Sequence, residues 1–197
     1  MSKGDVTRAE ILRRSAALFN TRGYFGTSLA DLMTATRLKK GGIYNHFDSK
    51  DELALAAFDH TLDLLRTRAR DAVVGKETAA EQLMALIDEF CSRRDNPPLP
   101  GGCPILNTAV ESDNAHPALR SRAHDAYALW REFLASIITR GVAAGEFRDG
   151  LDAERIATII IANLEGAMAL AGVFEEAKSL EIAREHLRGY LESEMQR

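Results

Sequence analysis

The five prolines of this 197-residue chain all fall between Pro97 and Pro117. Proline has no amide hydrogen and its ring clashes with the preceding turn, so it marks where an α-helix cannot continue. Residues 1–96 and 118–197 are therefore free to be helical throughout. The apolar spacing in both stretches is of the helical kind. Ile11, Leu12, Ser15, Leu18 and Phe19 recur on one face, with Thr7 and Glu10 placed as a capping box and Gly23 as a stop. Thr27 or Ser28 starts a second, short helix with Leu29, Leu32 and Met33 turned inward. A third runs from Gly41 to Phe47, and Asp48 or Ser49 caps a fourth that reaches about Val74.

Further helices are expected over about 78–94, from Pro104, from Pro117 to about Ala144, from Asp152 to about Gly172, and from Ser179 to Met195. Neither strand-type alternation nor a repeat of 20–50 residues is visible, so the sequence predicts an all-α chain of about nine helices. With 46% apolar and 27% charged residues the chain has the composition of a folded globular protein. Its length is enough to bury a core without disulfides or metal.

Charge is unevenly placed. Residues 1–50 carry nine basic side chains (Lys3, Arg8, Arg13, Arg14, Arg22, Arg37, Lys39, Lys40, Lys50) against Asp5, Glu10, Asp31 and Asp48, a net +5 in a chain whose total is −4. A basic head on an acidic remainder suits a polyanion partner. Cys91 and Cys103 form no CxxC motif, which points to a reducing compartment. The first residues lack an apolar signal core, and Asn163 and Glu165 interrupt the longest apolar run, so a cytoplasmic protein without a membrane partner is expected. No metal-ligand cluster, P-loop, GxSxG or GxGxxG occurs, and neither a cofactor nor enzymatic activity is expected.

The segments Gly23-Tyr24-Phe25-Gly26-Thr27-Ser28-Leu29 and Lys39-Lys40-Gly41-Gly42-Ile43-Tyr44-Asn45-His46-Phe47-Asp48-Ser49-Lys50 fall together and in order. Over roughly residues 5–65 the chain resembles the DNA-binding domain of tetracycline-repressor-type (TetR) regulators. The resemblance implies a three-helix helix-turn-helix head over 1–50 and a connecting fourth helix over about 50–74. Residues 75–197 would form a larger helical bundle for effector binding and dimerisation. It places Lys39–Phe47 in the major groove of double-stranded operator DNA. Lys40 is then set to reach a phosphate or a guanine edge, and Asn45 an adenine. Gly41 and Gly42 allow close approach of the backbone. Tyr44, His46, Lys50 and the hydroxyl of Thr27 or Ser28 resemble phosphate contacts. Lys39 and Gly42 depart from the family pattern, which has Ser or Thr at the first and a longer side chain at the second.

In the remainder, a small-molecule effector site is expected among Asn107, Glu111, His124, Tyr127, Trp130 and Asn163, polar groups on otherwise apolar helices. Cys103, between Gly102 and Pro104, stands at a helix N-terminus, where the dipole favours thiolate, and is a candidate electrophile sensor. Ile156, Ile160, Asn163, Ala167, Leu187, Tyr190 and Leu191 are expected to form a homodimer interface. The functional expectation is a ligand-responsive repressor released from a palindromic operator. The alternative is a helical ligand-binding protein or a thiol enzyme using Cys103.

Overall fold

In the computed structural model, residues 2–113 and 115–195 are described, and their helices follow the expected order. They are α1 (Lys3–Arg22), α2 (Leu29–Thr36), α3 (Lys40–Tyr44), α4 (Lys50–Val73), α5 (Ala79–Ser92), α6 (Pro104–Ser112), α7 (Pro117–Ala143), α8 (Ala153–Phe174) and α9 (Lys178–Tyr190). A π-helical turn, Leu191–Met195, extends the last. The first helix begins a turn earlier than expected. Ser2 and Asp5 form the capping box, Oγ of Ser2 accepting the Asp5 N–H at 3.2 Å and the Asp5 carboxylate accepting the Ser2 N–H at 2.8 Å. Two such boxes stand in tandem in the sequence, and using the earlier adds a turn of backbone hydrogen bonds. Thr7 then lies inside the helix, its hydroxyl donating to Lys3 O, and Glu10 pairs with Arg13 and Arg14 instead. Ser28 with Asp31 and Thr78 with Glu81 cap α2 and α5 in the same way. Ser49 caps α4 by accepting the Glu52 N–H at 3.0 Å.

The residues pack into two units. One holds the chain through Leu65 together with Pro98–Asp125; the other holds Arg66–Pro97 and the chain from Ala126 onward. Helices α4 and α7 each contribute to both. The first unit's core joins Ile11, Leu12 and Ala16 of α1 to Leu32, Ile43, Phe47, Leu53 and Ala57, and it takes in Leu99 from the proline-rich loop. Each fully buried Leu, Ile or Phe contributes roughly 1.5–3 kcal/mol. Helix α6 is tied into this unit by polar contacts. The Glu111 carboxylate accepts the backbone N–H groups of Tyr24 and Phe25 at 2.8 and 2.9 Å. The Asn107 amide donates to Asn20 Oδ1 at 3.0 Å and to Gly101 O at 2.6 Å. Gly23, at φ +75°, leaves room for this: a Cβ there would lie 2.3 Å from a Glu111 oxygen.

In the second unit α8 packs against α9, and α5 against both. Leu83, Ile87, Phe90, Leu134, Ile137, Ile138, Ile160, Leu164, Ala171 and Leu187 fill its interior. Helix α8 is long and apolar enough to cross a membrane, with a mean hydropathy of 1.8 over its most apolar window, but 44% of that window is buried within the protein. Its buried side serves packing within the second unit.

Candidate nucleic-acid interface

Helices α2 and α3 are joined by the three residues Arg37, Leu38 and Lys39. Arg37 turns the chain in the left-handed region at φ 60°. Such a conformation costs a residue with a Cβ about 1–2 kcal/mol. Ile43 and Phe47, each 1% exposed, anchor α3 to the core, so the opposite face looks outward. That face carries Lys39, Lys40, Gly41 and Asn45, all exposed, with Gly42, Tyr44 and His46 half-buried beside them. The two glycines differ. A Cβ on Gly42 would press within 3.3 Å of Leu38, whereas one on Gly41 would meet nothing within 4 Å. Packing inside the chain accounts for the first only; the bareness of Gly41 faces solvent. Lys40 lies over the Tyr44 ring at 5.7 Å, which holds its ammonium along the helix.

The head's cations divide into two sets. Arg13, Arg14 and Arg22 are committed to Glu10 and Asp31. Lys50 donates to Tyr24 O at 2.6 Å and stacks on that ring at 4.1 Å; burial pushes its ammonium below the usual lysine range. Lys3, Arg8, Arg37, Lys39 and Lys40 enter no ion pair among the described residues, and Arg8 reaches back toward α3 by lying over the Phe47 ring at 4.8 Å. Apart from Lys3, the unpaired cations of the head lie on or beside α3.

Several expected contacts stand elsewhere. Thr27 is 1% exposed and its hydroxyl donates to Gly23 O at 2.6 Å, so it belongs to the fold and not to the surface. Ser28 is exposed, but its hydroxyl is held by Asp31. Lys50 is turned inward, as described. Arg37 and Arg8 were missed in the sequence. The first could have been found from its place in a turn where glycine is the easy choice. Nothing in the sequence signals the stacking of the second.

The expected effector residues do not form one group. Asn107 and Glu111 serve the α6 clasp of the first unit. His124 is exposed and contacts its neighbour Asp125 at 3.1 Å. In the second unit, Tyr127 donates to Glu165 Oε1 at 3.1 Å and its ring is near-parallel to that of Trp130, while Asn163 donates to Ile159 O of its own helix. Cys103 does occupy the N-cap of α6, yet it is only 4% exposed. The accessible thiol expected of a sensor is not present at the surface.

The expected dimer residues also need correction. Ile156, Ile160, Ala167, Leu187 and Leu191 are 0–6% exposed and fill their own unit; Asn163 and Tyr190 are half-buried. The outward stripe of α8 is Thr158, Ala162, Gly166, Ala169, Leu170 and Val173, and that of α9 includes Ile182, His186 and Gly189.

A small helix-turn-helix unit with a cationic outward helix, followed by a helical body, defines a class of DNA-binding regulator. Comparison with known proteins agrees. The profile for bacterial regulatory proteins of the tetR family matches residues 11–57, and that for the tetracyclin repressor-like C-terminal domain matches residues 79–187. The chain is 29% identical over 176 residues to the HTH-type transcriptional regulator LmrA of Bacillus subtilis, covering 87% of this chain and 88% of that one. A TetR transcriptional regulator from Chloroflexus aurantiacus superposes with a TM-score of 0.96 at 45% identity, over 100% of this chain and 99% of that chain. One from Cytophaga hutchinsonii gives 0.90 at 35% identity, over 100% and 98%. The chain belongs to the TetR family of transcriptional regulators.

Proposed function

We propose that this regulator is a cytoplasmic repressor that binds a palindromic operator as a homodimer and is released by a small-molecule effector. Residues 1–50 read DNA, α4 connects, and residues 75–197 bind the effector and the second copy. The observation that carries the reading is α3: an outward helix with Lys39, Lys40 and Asn45 exposed and Gly41 bare. A side chain at Gly41 has room in the chain itself, so its absence favours close approach of a groove wall. Lys39, Lys40 and Arg37 supply phosphate or base-edge contacts, and Asn45 an adenine contact.

The second copy is supported by the α8–α9 face. Gly166, Gly172 and Gly189 each leave more than 4 Å open where a Cβ would stand, although glycine within a helix costs about 1 kcal/mol relative to alanine. Leu170, Val173, Phe174 and Ile182 are 49–77% exposed around them. Small residues for close approach, ringed by exposed apolar ones, suit a two-fold helix pairing. A thiol enzyme finds no support, because Cys103 is buried.

Selection of bound sequences from random DNA tests the whole reading. A palindrome with half-sites about one helical turn apart, roughly 34–36 Å, is the expected result. Failure to enrich any sequence would overturn it.

A further inference from the structure

Helix α1 carries four arginines, and three of them spend their guanidinium edges inside the head. Arg13 donates to both Glu10 oxygens, at 2.9 and 2.8 Å. Arg14 shares Glu10 and donates to Ala35 O at 2.8 Å. Arg22 pairs with Asp31 at 2.8 Å. Arg8 differs. Its helical neighbour of opposite charge is Asp5, three residues earlier, a spacing at which such pairs form. That carboxylate is engaged at the helix start, where it accepts the Ser2 N–H at 2.8 Å. Arg8 is exposed and enters no ion pair among the described residues. Its guanidinium lies instead over the Phe47 ring, 4.8 Å from the centroid.

A guanidinium can use its face and its edge at once. The flat face stacks on an aromatic ring, while the edge presents planar N–H donors that match a phosphate. In Arg8 the face is taken and the edge is open. Phe47 is 1% exposed and sits just beyond α3, so the stack holds the charge beside the helix that enters DNA. A side chain already held in place loses less freedom when it binds. The major groove is about 12 Å wide, and a cation past the end of the inserted helix meets its phosphate edge rather than its floor. We propose that Arg8 is a phosphate clamp for the operator: held by its stack on Phe47, its guanidinium edge donates to one backbone phosphate in each half-site and fixes how α3 seats in the groove. The proposal rests on the reading of the chain as an operator-binding repressor, and it adds α1 to the reading surface. Arg8 contributes position and affinity, and no base preference.

Fluorescence anisotropy of the full-length protein across salt concentrations tests this, on the palindrome selected from random DNA and on an unrelated duplex of equal length. Arg8→Met keeps an apolar stem over Phe47 and removes the charge. It is expected to weaken operator binding roughly tenfold and to flatten the salt slope by about 0.9 log units per log unit for each half-site, the value of one phosphate. Arg13→Met removes the same charge from a side chain spent on Glu10 and is expected to leave the slope unchanged. Ethylation of single operator phosphates locates the contact: one phosphate in each half-site matters to the parent protein and not to Arg8→Met. Circular dichroism and urea titration check the fold of both variants; should Arg8→Met unfold, Arg8→Gln carries the same expectation. An unchanged slope in the folded variant, even with some loss of stability, would reduce Arg8 to packing and overturn the clamp. Equal flattening in Arg13→Met, or identical ethylation patterns, would overturn it as well. A parent protein that binds the unrelated duplex as tightly as any selected sequence overturns the repressor reading, while the slope on that duplex still decides the clamp. Absence of binding to either DNA overturns both.

Discussion

At the turn between α1 and α2, one carboxylate from far along the chain completes the backbone. Glu111 takes the N–H groups of Tyr24 and Phe25, donors that the end of α1 leaves without helical partners. Removing the acceptor loses two hydrogen bonds to a charged group from partly exposed donors, at about 1–3 kcal/mol together. Glu111→Ala is accordingly expected to lower stability by about 1–3 kcal/mol in urea titration, and Glu111→Gln by less. The phenol of Tyr24 is a second probe of this turn. Burial, and then the hydrogen bond to the Asp51 carboxylate, push it up to about 12. A folded value above the ordinary one of about 10 means that the neutral phenol is favoured by folding. The stabilisation is thus fully present below pH 10 and lost as pH rises through 12. Ultraviolet titration of the protein against Tyr24→Phe should show one phenol missing from the late phase. Neither group's role was legible in the sequence. Glu111 and Asn107 were visible as polar residues on an apolar helix, but their partners lie more than eighty positions away, and a helical period does not say which distant element a side chain will meet.

Helices were legible to within a turn, because caps and prolines are local signals. The three short N-terminal elements and Pro104 and Pro117 at helix starts could be placed from neighbouring residues alone. Which face of α8 looks outward could not. Apolar residues surround that helix, so periodicity has no polar side to orient it, and the large residues Ile156 and Ile160 were assigned to the dimer although they are buried in the protomer. The proposal of a second copy rests instead on the exposed glycines of α8 and α9. Gly166→Phe should leave helicity nearly unchanged and convert the proposed dimer to monomer in sedimentation. Ile160→Ala should do the reverse, destabilising by about 2–5 kcal/mol through a core cavity without adding bulk to the outer face. In α3 the sequence located the helix and its exposed lysines, yet it overstated the contacts: Thr27 and Lys50 have the right chemistry, but their side chains are committed within the head. Arg37 is the converse case. Arg37→Gly is expected to weaken operator binding while stability holds or rises slightly, since the left-handed turn no longer opposes a Cβ.

For the molecule as a whole, the charge division read from composition persists as geometry, with uncommitted cations gathered near α3 and acidic partners retained elsewhere in the head. Operator affinity should fall with salt at about 0.9 log units per log unit for each phosphate neutralised. Lys40→Ala should flatten that slope by roughly one contact, measured by fluorescence anisotropy across salt concentrations. Chain order was a poorer guide at this scale. Leu99 and α6 lie beyond α5 in sequence, yet they close the core and the clasp of the N-terminal unit. A fragment ending at Leu65 would expose the surface that Leu99 covers and lose the carboxylate that holds Tyr24. The operator-reading end of this protein is therefore not a cassette that can be clipped out and grafted in front of another body. Gene fusions and shuffling experiments that keep only its opening stretch will transplant an unfinished piece, and a working chimera must carry the returning loop and α6 as well.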